Sequence, residues 1–202
     1  MQENMNGTRM NETTAAYHPR LAFYHANAKG TGCAVQLSLH PAHGCVEGSI
    51  RIHLANQKTV GRWSGGTPQF ATFDWENEIV ATLGFTDLAK CLQVFRGECE
   101  SIDGDHGLYH RTAKGMTIIT LRHIIDPTPG YVLAVSFKPT DGDEARAQTF
   151  FTPAEALGLC EAISASMMYV GFGVSERAGR ISKWNAGRRD NAFPHFVCLC
   201  LS

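Results

Sequence analysis

No stretch of this chain holds the roughly 18 consecutive apolar residues of a membrane-crossing helix, and its first twenty residues (MQENMNGTRMNETTAAYHPR) carry no apolar core of a secretory signal. The expected setting is the cytoplasm, with nucleoid association in a bacterial host. Charge of one sign is missing too. With 18 Lys and Arg against 19 Asp and Glu the net charge is −1, which excludes the uniformly basic surface that wraps duplex DNA. An even cysteine framework is also absent. The seven cysteines are Cys33, Cys45, Cys91, Cys99, Cys160, Cys198 and Cys200. Most lie in apolar or periodic segments, so free buried thiols in a reducing compartment are expected rather than disulfide bonds. Neither GxSxG, HExxH, a P-loop nor a dinucleotide fingerprint occurs. No enzyme activity, cofactor or metal is called for.

What is present suffices for one domain: 202 residues, 44% of them hydrophobic and 9% aromatic. Residues 1–20 lack periodicity and read as a flexible arm, 21–174 as the folded domain, and 175–202 as a basic and then apolar tail. Cys33, Val35, Leu37 and Leu39 alternate with Ala34, Gln36, Ser38 and His40, the period of a half-buried strand. After the break at Pro41–Gly44, Ile50, Ile52 and Leu54 alternate with Arg51, His53 and Ala55, so a hairpin is expected. A Gly-rich turn, Ser64–Pro68, precedes two further extended stretches, Gln69 to Trp75 and Glu78 to Leu83. The period then changes. Leu88, Cys91, Leu92 and Phe95 mark a short helix with Thr86 as its cap and Gly97 beyond its end.

The second half follows the same order. Glu98 to Ile102 reads as extended, Asp103 to Arg111 as a polar loop, and Gly115–Ile125, Tyr131–Lys138 and Ala145–Phe151 as strands. Thr152-Pro-Ala-Glu155 has the form of a capping box. Behind it Leu157, Cys160, Ile163, Ser164, Met167 and Met168 line one face of a long helix. The fold class is therefore α+β: two repeats of a four-stranded antiparallel sheet followed by a helix, assembling through the helices.

The stretch Phe73-Asp-Trp-Glu-Asn-Glu-Ile-Val-Ala-Thr-Leu83, followed by Phe85-Thr-Asp-Leu88, resembles the Whirly family of single-stranded-DNA-binding proteins. Lys29-Gly30 before the first alternating strand is similar to the start of that family's Lys-Gly-Lys-Ala-Ala-Leu segment, with Thr31 in place of the second lysine. Phe151-Thr-Pro-Ala-Glu155 and Met168-Tyr-Val-Gly-Phe172 are similar to the ends of its last helix. The resemblance implies a tetramer with helices inside and sheets projecting as blades, with single strands running along them. It also departs: a basic tail replaces an acidic one, and the plastid or mitochondrial targeting segment is not seen.

Binding single strands takes cations along the backbone path and aromatic faces for the bases. The candidates are Lys29, Arg51, Lys58, Arg62, Lys114, Arg122 and Lys138, with Trp63, Phe70, Tyr109 and Tyr131 as stacking partners. Any one alternating Lys or Arg is better explained as the solvated face of a strand, so only clustering on one sheet makes a track. Trp75 reads as structural. The tail adds Arg177, Arg180, Lys183, Trp184, Arg188 and Arg189, a composition suited to salt-sensitive phosphate contacts. His40-x-x-His43-x-Cys45 and His195-x-x-Cys198-x-Cys200 fall short of four ligands at a zinc spacing. The expected function is non-catalytic binding of single-stranded DNA with little sequence specificity, in replication, repair, recombination or transcription. The rivals are RNA binding on the same architecture, as in guide-RNA-binding proteins, an assembly module that has lost nucleic-acid binding, and an enzyme using Asp103, Asp105, His106 and His110.

Overall fold

The alternation at Cys33 to Leu39 and at Ile50 to Leu54 produces two antiparallel strands, β2 (Cys33–His40) and β3 (Ser49–Thr59), with Val35 opposite Leu54 and Leu37 opposite Ile52. β1 (Arg20–His25) borders β2 and sets Phe23 against Val35. The computed structural model describes residues 20–173; the arm up to residue 19 and the basic and apolar tail lie outside the described residues. The segment after β3 departs from expectation. Gly65 and Gly66 take φ of 58° and 80°, the left-handed pair of a tight hairpin turn, and so join β4 (Arg62–Ser64) to β5 (Thr67–Gln69). The extended stretch expected at Gln69 to Trp75 is therefore broken into the end of this hairpin, the short β6 (Thr72–Phe73) and a 3-10 turn at Trp75–Asn77. β7 (Ile79–Leu83) then pairs with β3 and completes the first sheet.

Helix α1 (Phe85–Phe95) begins two residues earlier than a Thr86 cap would place it. Gly84 is the cap residue, and its N–H donates to Asp87 Oδ2 at 3.0 Å, so the third helical residue reaches back instead. Gly97, at φ 72°, ends the helix as expected. Glu98 to Ile102 does not form a strand. Ser101 makes a single bridge to Arg122, and the left-handed Asp103 and Gly104 turn the chain through a short 3-10 segment. The fourth strand of the second sheet instead arises inside the expected loop, as β8 (Leu108–Thr112), because Leu108 pairs into the core opposite Ile119. β9 (Gly115–Ile124), β10 (Gly130–Pro139) and β11 (Ala145–Phe151) follow, giving the order β11-β10-β9-β8.

Helix α2 (Pro153–Phe172) opens on the expected capping box: Glu155 N–H donates to Thr152 Oγ1 at 3.3 Å, and Thr152 N–H donates to Glu155 Oε2 at 2.8 Å. Its buried face is rotated from the one expected. Ala156, Leu159, Cys160, Ile163 and Val170 are buried, whereas Leu157 and Met168 stand 65% and 64% exposed. Apolar residues ring this helix, so periodicity alone does not decide which side meets the sheets.

The inner faces of the two sheets and one side of each helix share one core. β10 and β11 lie against strands of the first sheet, α1 lies against α2, and α2 also contacts β2, β10 and β11. Phe151 is 1% exposed and meets Phe23 edge-on at 5.4 Å. His25, at the end of the edge strand β1, ties three elements together. Its Nδ1 lies 2.6 Å from Thr149 Oγ1 on β11, and its Nε2 lies 2.9 Å from Glu155 Oε1 on α2. Burial pushes the Glu155 carboxyl up, but the bonds from His25 and from the Thr152 amide and hydroxyl outweigh it and hold it below the usual carboxylate value. Burial raises the Cys33 thiol to about 11 and the Cys91 thiol to about 12, so both are protonated fillers of the core. Cys45, Cys99 and Cys160 are also free thiols.

Candidate nucleic-acid interface

Register decides which charged side chains of the second sheet meet. Alternate residues of a strand share a face, and with Leu108, Ile119, Leu121, Leu133, Val135 and Ala147 turned into the core, the other face belongs to their neighbours. On that outer face Tyr109 stands opposite Ile118, Ile118 opposite Ser136 and Ser136 opposite Arg146. The next row is Arg111, Met116 and Lys138, and in the other direction, past the row Thr120, Ala134 and Gln148, Arg122 lies opposite Val132 and Val132 opposite Phe150. Tyr109, Arg111, Arg122, Lys138 and Arg146 are all exposed. Lys114 sits in the β8–β9 turn, where its N–H donates to Thr112 Oγ1 at 3.3 Å. The sequence candidates Tyr109, Lys114, Arg122 and Lys138 thus fall on one face and its rim.

Two further members of this cluster are not among the sequence candidates. Arg111 falls in a stretch that reads as a loop, and Arg146, inside the expected strand Ala145–Phe151, directly follows the acidic run Asp141 to Glu144. Arg146 Nη2 pairs with Glu144 at 3.0 Å, and that bond first, then Ser136 and the nearby charge of Lys138, keeps the Glu144 carboxyl below its usual range against slight desolvation.

A cleft of about 430 Å³ runs from this face to the first sheet, with Thr31, Asn56, Thr120, Ser136, Arg146 and Gln148 among its walls. Asn56 Nδ2 donates to the Arg146 carbonyl at 3.0 Å and bridges the two sheets. The loop between β1 and β2 that carries Lys29 and Thr31 is held from beneath by the buried Gln57. Its Oε1 accepts the N–H groups of Asn27 and Gly32, and its Nε2 donates to the carbonyls of Asn27 and Thr59. Any side chain at Gly32 would collide with that Oε1 and with the His25 carbonyl. Above, Asn27 Oδ1 accepts the N–H groups of Lys29 and Thr31, and Lys29 projects exposed.

The first sheet is organised otherwise. Arg51 lies on its outer face in a row with Arg20, Ser38 and Thr82. His53 pairs with Glu78 at 3.0 Å and Lys58 with Glu76 at 3.8 Å, while Arg62 Nε donates across the hairpin to Gln69 at 2.9 Å. Aromatics dominate its far end: Trp63 is 77% and Phe70 83% exposed, and Tyr24 meets Phe73 at 5.7 Å. Trp75, read as structural, is only half-buried and lines the groove beside them. Tyr131 corrects the candidate set. It lies on the inner face, stacked on His123 at 4.7 Å and donating its hydroxyl to the Phe95 carbonyl at 3.2 Å, and so offers no face to a base on the outer side.

Two residues of the rival catalytic loop are held in separate pairs. Asp103 binds Lys90 at 2.7 Å, and His110 lies 3.2 Å from Asp87. Among the described residues no group of three or more His, Cys, Asp or Glu is placed to hold a metal. His40 is bonded to Ser38 at 3.1 Å, and His195-x-x-Cys198-x-Cys200 lies outside the described residues.

Two solved structures share the arrangement of sheets and helices. WHY1 from Arabidopsis thaliana matches with a TM-score of 0.61 at 17% identity, over 89% of this chain and 99% of that one. The fold is that of the Whirly proteins. WHY3 from Arabidopsis thaliana matches with a TM-score of 0.56, again at 17% identity, over 84% of this chain and 99% of its own. No family model matches the sequence, and no curated protein does. Within the Whirly fold of this chain, Phe73-Asp74-Trp75 leads from β6 into the 3-10 turn, and Lys29-Gly30 sits in the clamped loop before β2.

Proposed function

We propose that this chain binds single-stranded nucleic acid, DNA in the first instance, with little sequence specificity and without catalysing a reaction. The observation that carries this reading is the clustering of Arg111, Arg122, Lys138 and Arg146 with Tyr109 on one sheet face. On a chain whose net charge is −1 these four exposed cations share one face, and contacts of backbone phosphates with such a face give salt-dependent affinity through counterion release. The resemblance to the Whirly family supports the same reading, as do the exposed aromatics. The process served is replication, repair, recombination or transcription.

The working form is a homo-oligomer, a tetramer by analogy, joined through the helices. Leu157, Met168 and Phe172 on α2 stand 64% exposed or more, apolar surface that a second copy would cover. Repetition of one face by symmetry would multiply a modest affinity.

The test is a fluorescence-anisotropy titration of the full chain with labelled single-stranded DNA, single-stranded RNA and duplex of equal length, at two salt concentrations. Salt-sensitive binding of single strands in preference to duplex is expected. Absence of binding at low salt would overturn the reading in favour of an assembly module, and preference for the ribose strand would move it to RNA.

A further inference from the structure

We infer that selectivity for single strands over duplex resides in the aromatic groove at the far end of the first sheet, while the cationic face of the second sheet supplies affinity that is indifferent to strandedness. The inference rests on the function proposed above and assigns its two components to two places. The groove, about 530 Å³, is walled by Tyr24, Phe70, Phe73 and Trp75. Trp63 stands close by in sequence on the β4–β5 hairpin, paired with Pro68, with both hairpin strands fully exposed.

Burial would be the default for such rings. Phe70 and Trp63 are 83% and 77% exposed and Tyr24 is 62% exposed, although Gly65 and Gly66 give the hairpin a tight, sequence-specified turn that fixes where it points. Aromatic faces held in water by a defined turn suit a planar apolar partner with a charged edge. An unstacked base on its phosphate backbone is such a partner, since every base has a π-face and stacking is tolerant of sequence. Lys29 and Arg62 are exposed cations on the neighbouring β1–β2 loop and β4–β5 hairpin, whereas Lys58 is held by Glu76. In a duplex the base faces are already stacked, so the groove has nothing to accept, whereas phosphates are presented by both forms.

The groove is also joined to the cationic face. Asp74, between Phe73 and Trp75, donates its N–H to the Asn56 carbonyl at 2.9 Å, and the Asn56 side chain lines the cleft and bonds to Arg146 on the second sheet.

The experiment compares the full wild-type chain with a Tyr24→Ala/Phe70→Ala variant and a Phe70→Tyr variant. Each is titrated with a labelled single strand and with the corresponding duplex over a range of salt, with tryptophan fluorescence recorded in parallel. Circular dichroism confirms folding, which the exposure of both sites makes safe. The alanine variant is expected to lose single-strand affinity by about fivefold or more for each stacked base forfeited, with duplex affinity and the salt slope unchanged. Phe70→Tyr should retain the preference, and tryptophan emission should be quenched by single strands alone. If the wild type prefers single strands and the alanine variant keeps the same ratio, the groove has no such role and the inference falls while the proposed function stands. If the wild type binds no nucleic acid at low salt, both fall together.

Discussion

The two sheets share one core but present opposite chemistries to water. On the second sheet, cations alternate with small or apolar residues across all four strands, and Tyr109 stands among them. On the first, several basic groups are matched by carboxylates, Lys58 by Glu76 and His53 by Glu78, and rings gather at one end. The difference teaches that net charge says little about a surface built from repeats. A chain near neutrality can still gather Arg111, Arg122, Lys138 and Arg146 on one sheet face, even with Arg146 paired to Glu144.

The largest expected effect breaks what the sheets have in common. Phe151→Ala removes the ring that meets Phe23 across the core, and should destabilise the chain by about 3–5 kcal/mol, visible as one lowered melting transition rather than the melting of a single sheet. The comparison itself is sharpened by charge removal. Arg122→Gln with Lys138→Gln should flatten the dependence of log affinity on log salt by about 0.7 for each phosphate that is no longer neutralised, while the same change at Lys58, already paired with Glu76, should move it less. An equal change at both places would erase the distinction between the sheets. Thr152→Ala, which removes the cap of α2 beneath both sheets, should cost about 1 kcal/mol in denaturant titration and leave the salt slope untouched.

The smallest effect is a pH dependence. The folded state holds the Glu155 carboxyl below its usual value, so its contribution is present above the ordinary carboxylate pKa and is lost as pH falls through the lowered folded value. Glu155→Gln should remove that part of the acid limb of stability, measured by thermal melts across the acidic range. A variant with an unchanged acid limb would show that the His25–Glu155 contact is without energetic weight.

The strongly periodic parts of the fold are legible in the residues alone. Cys33 to Leu39 alternates, and Thr152 to Glu155 carries its cap in consecutive letters. β8 is not legible, because Leu108 to Thr112 mixes glycine-flanked polar residues whose strand character comes from pairing with β9, a long-range partner that local composition does not reveal. The β4–β5 hairpin reads only as a turn, since its two three-residue arms are too short to show a period. In the interface, Tyr109, Arg122 and Lys138 can be picked out as outward residues of strands or loops, but their meeting depends on register. Arg146 lies in a strand the sequence does show, but its place beside Ser136 and Lys138 is likewise set by register. Tyr131 misleads only when taken as a lone aromatic, because its alternation with Leu133, Val135 and Phe137 already puts it on the core side of β10, where it packs against Phe95 and His123.

The buried Gln57 has a consequence for the thermodynamics of binding. A surface loop that must become ordered around a ligand gives up conformational entropy at that moment. The loop bearing Lys29 has already done so during folding, since three hydrogen bonds from the Gln57 amide fix its two ends, a fourth ties that amide to Thr59, and Asn27 fixes its crest. Its amide protons at Asn27 and Gly32 should therefore exchange with solvent as slowly in the free protein as in any complex, and Lys29 is carried on a rigid edge.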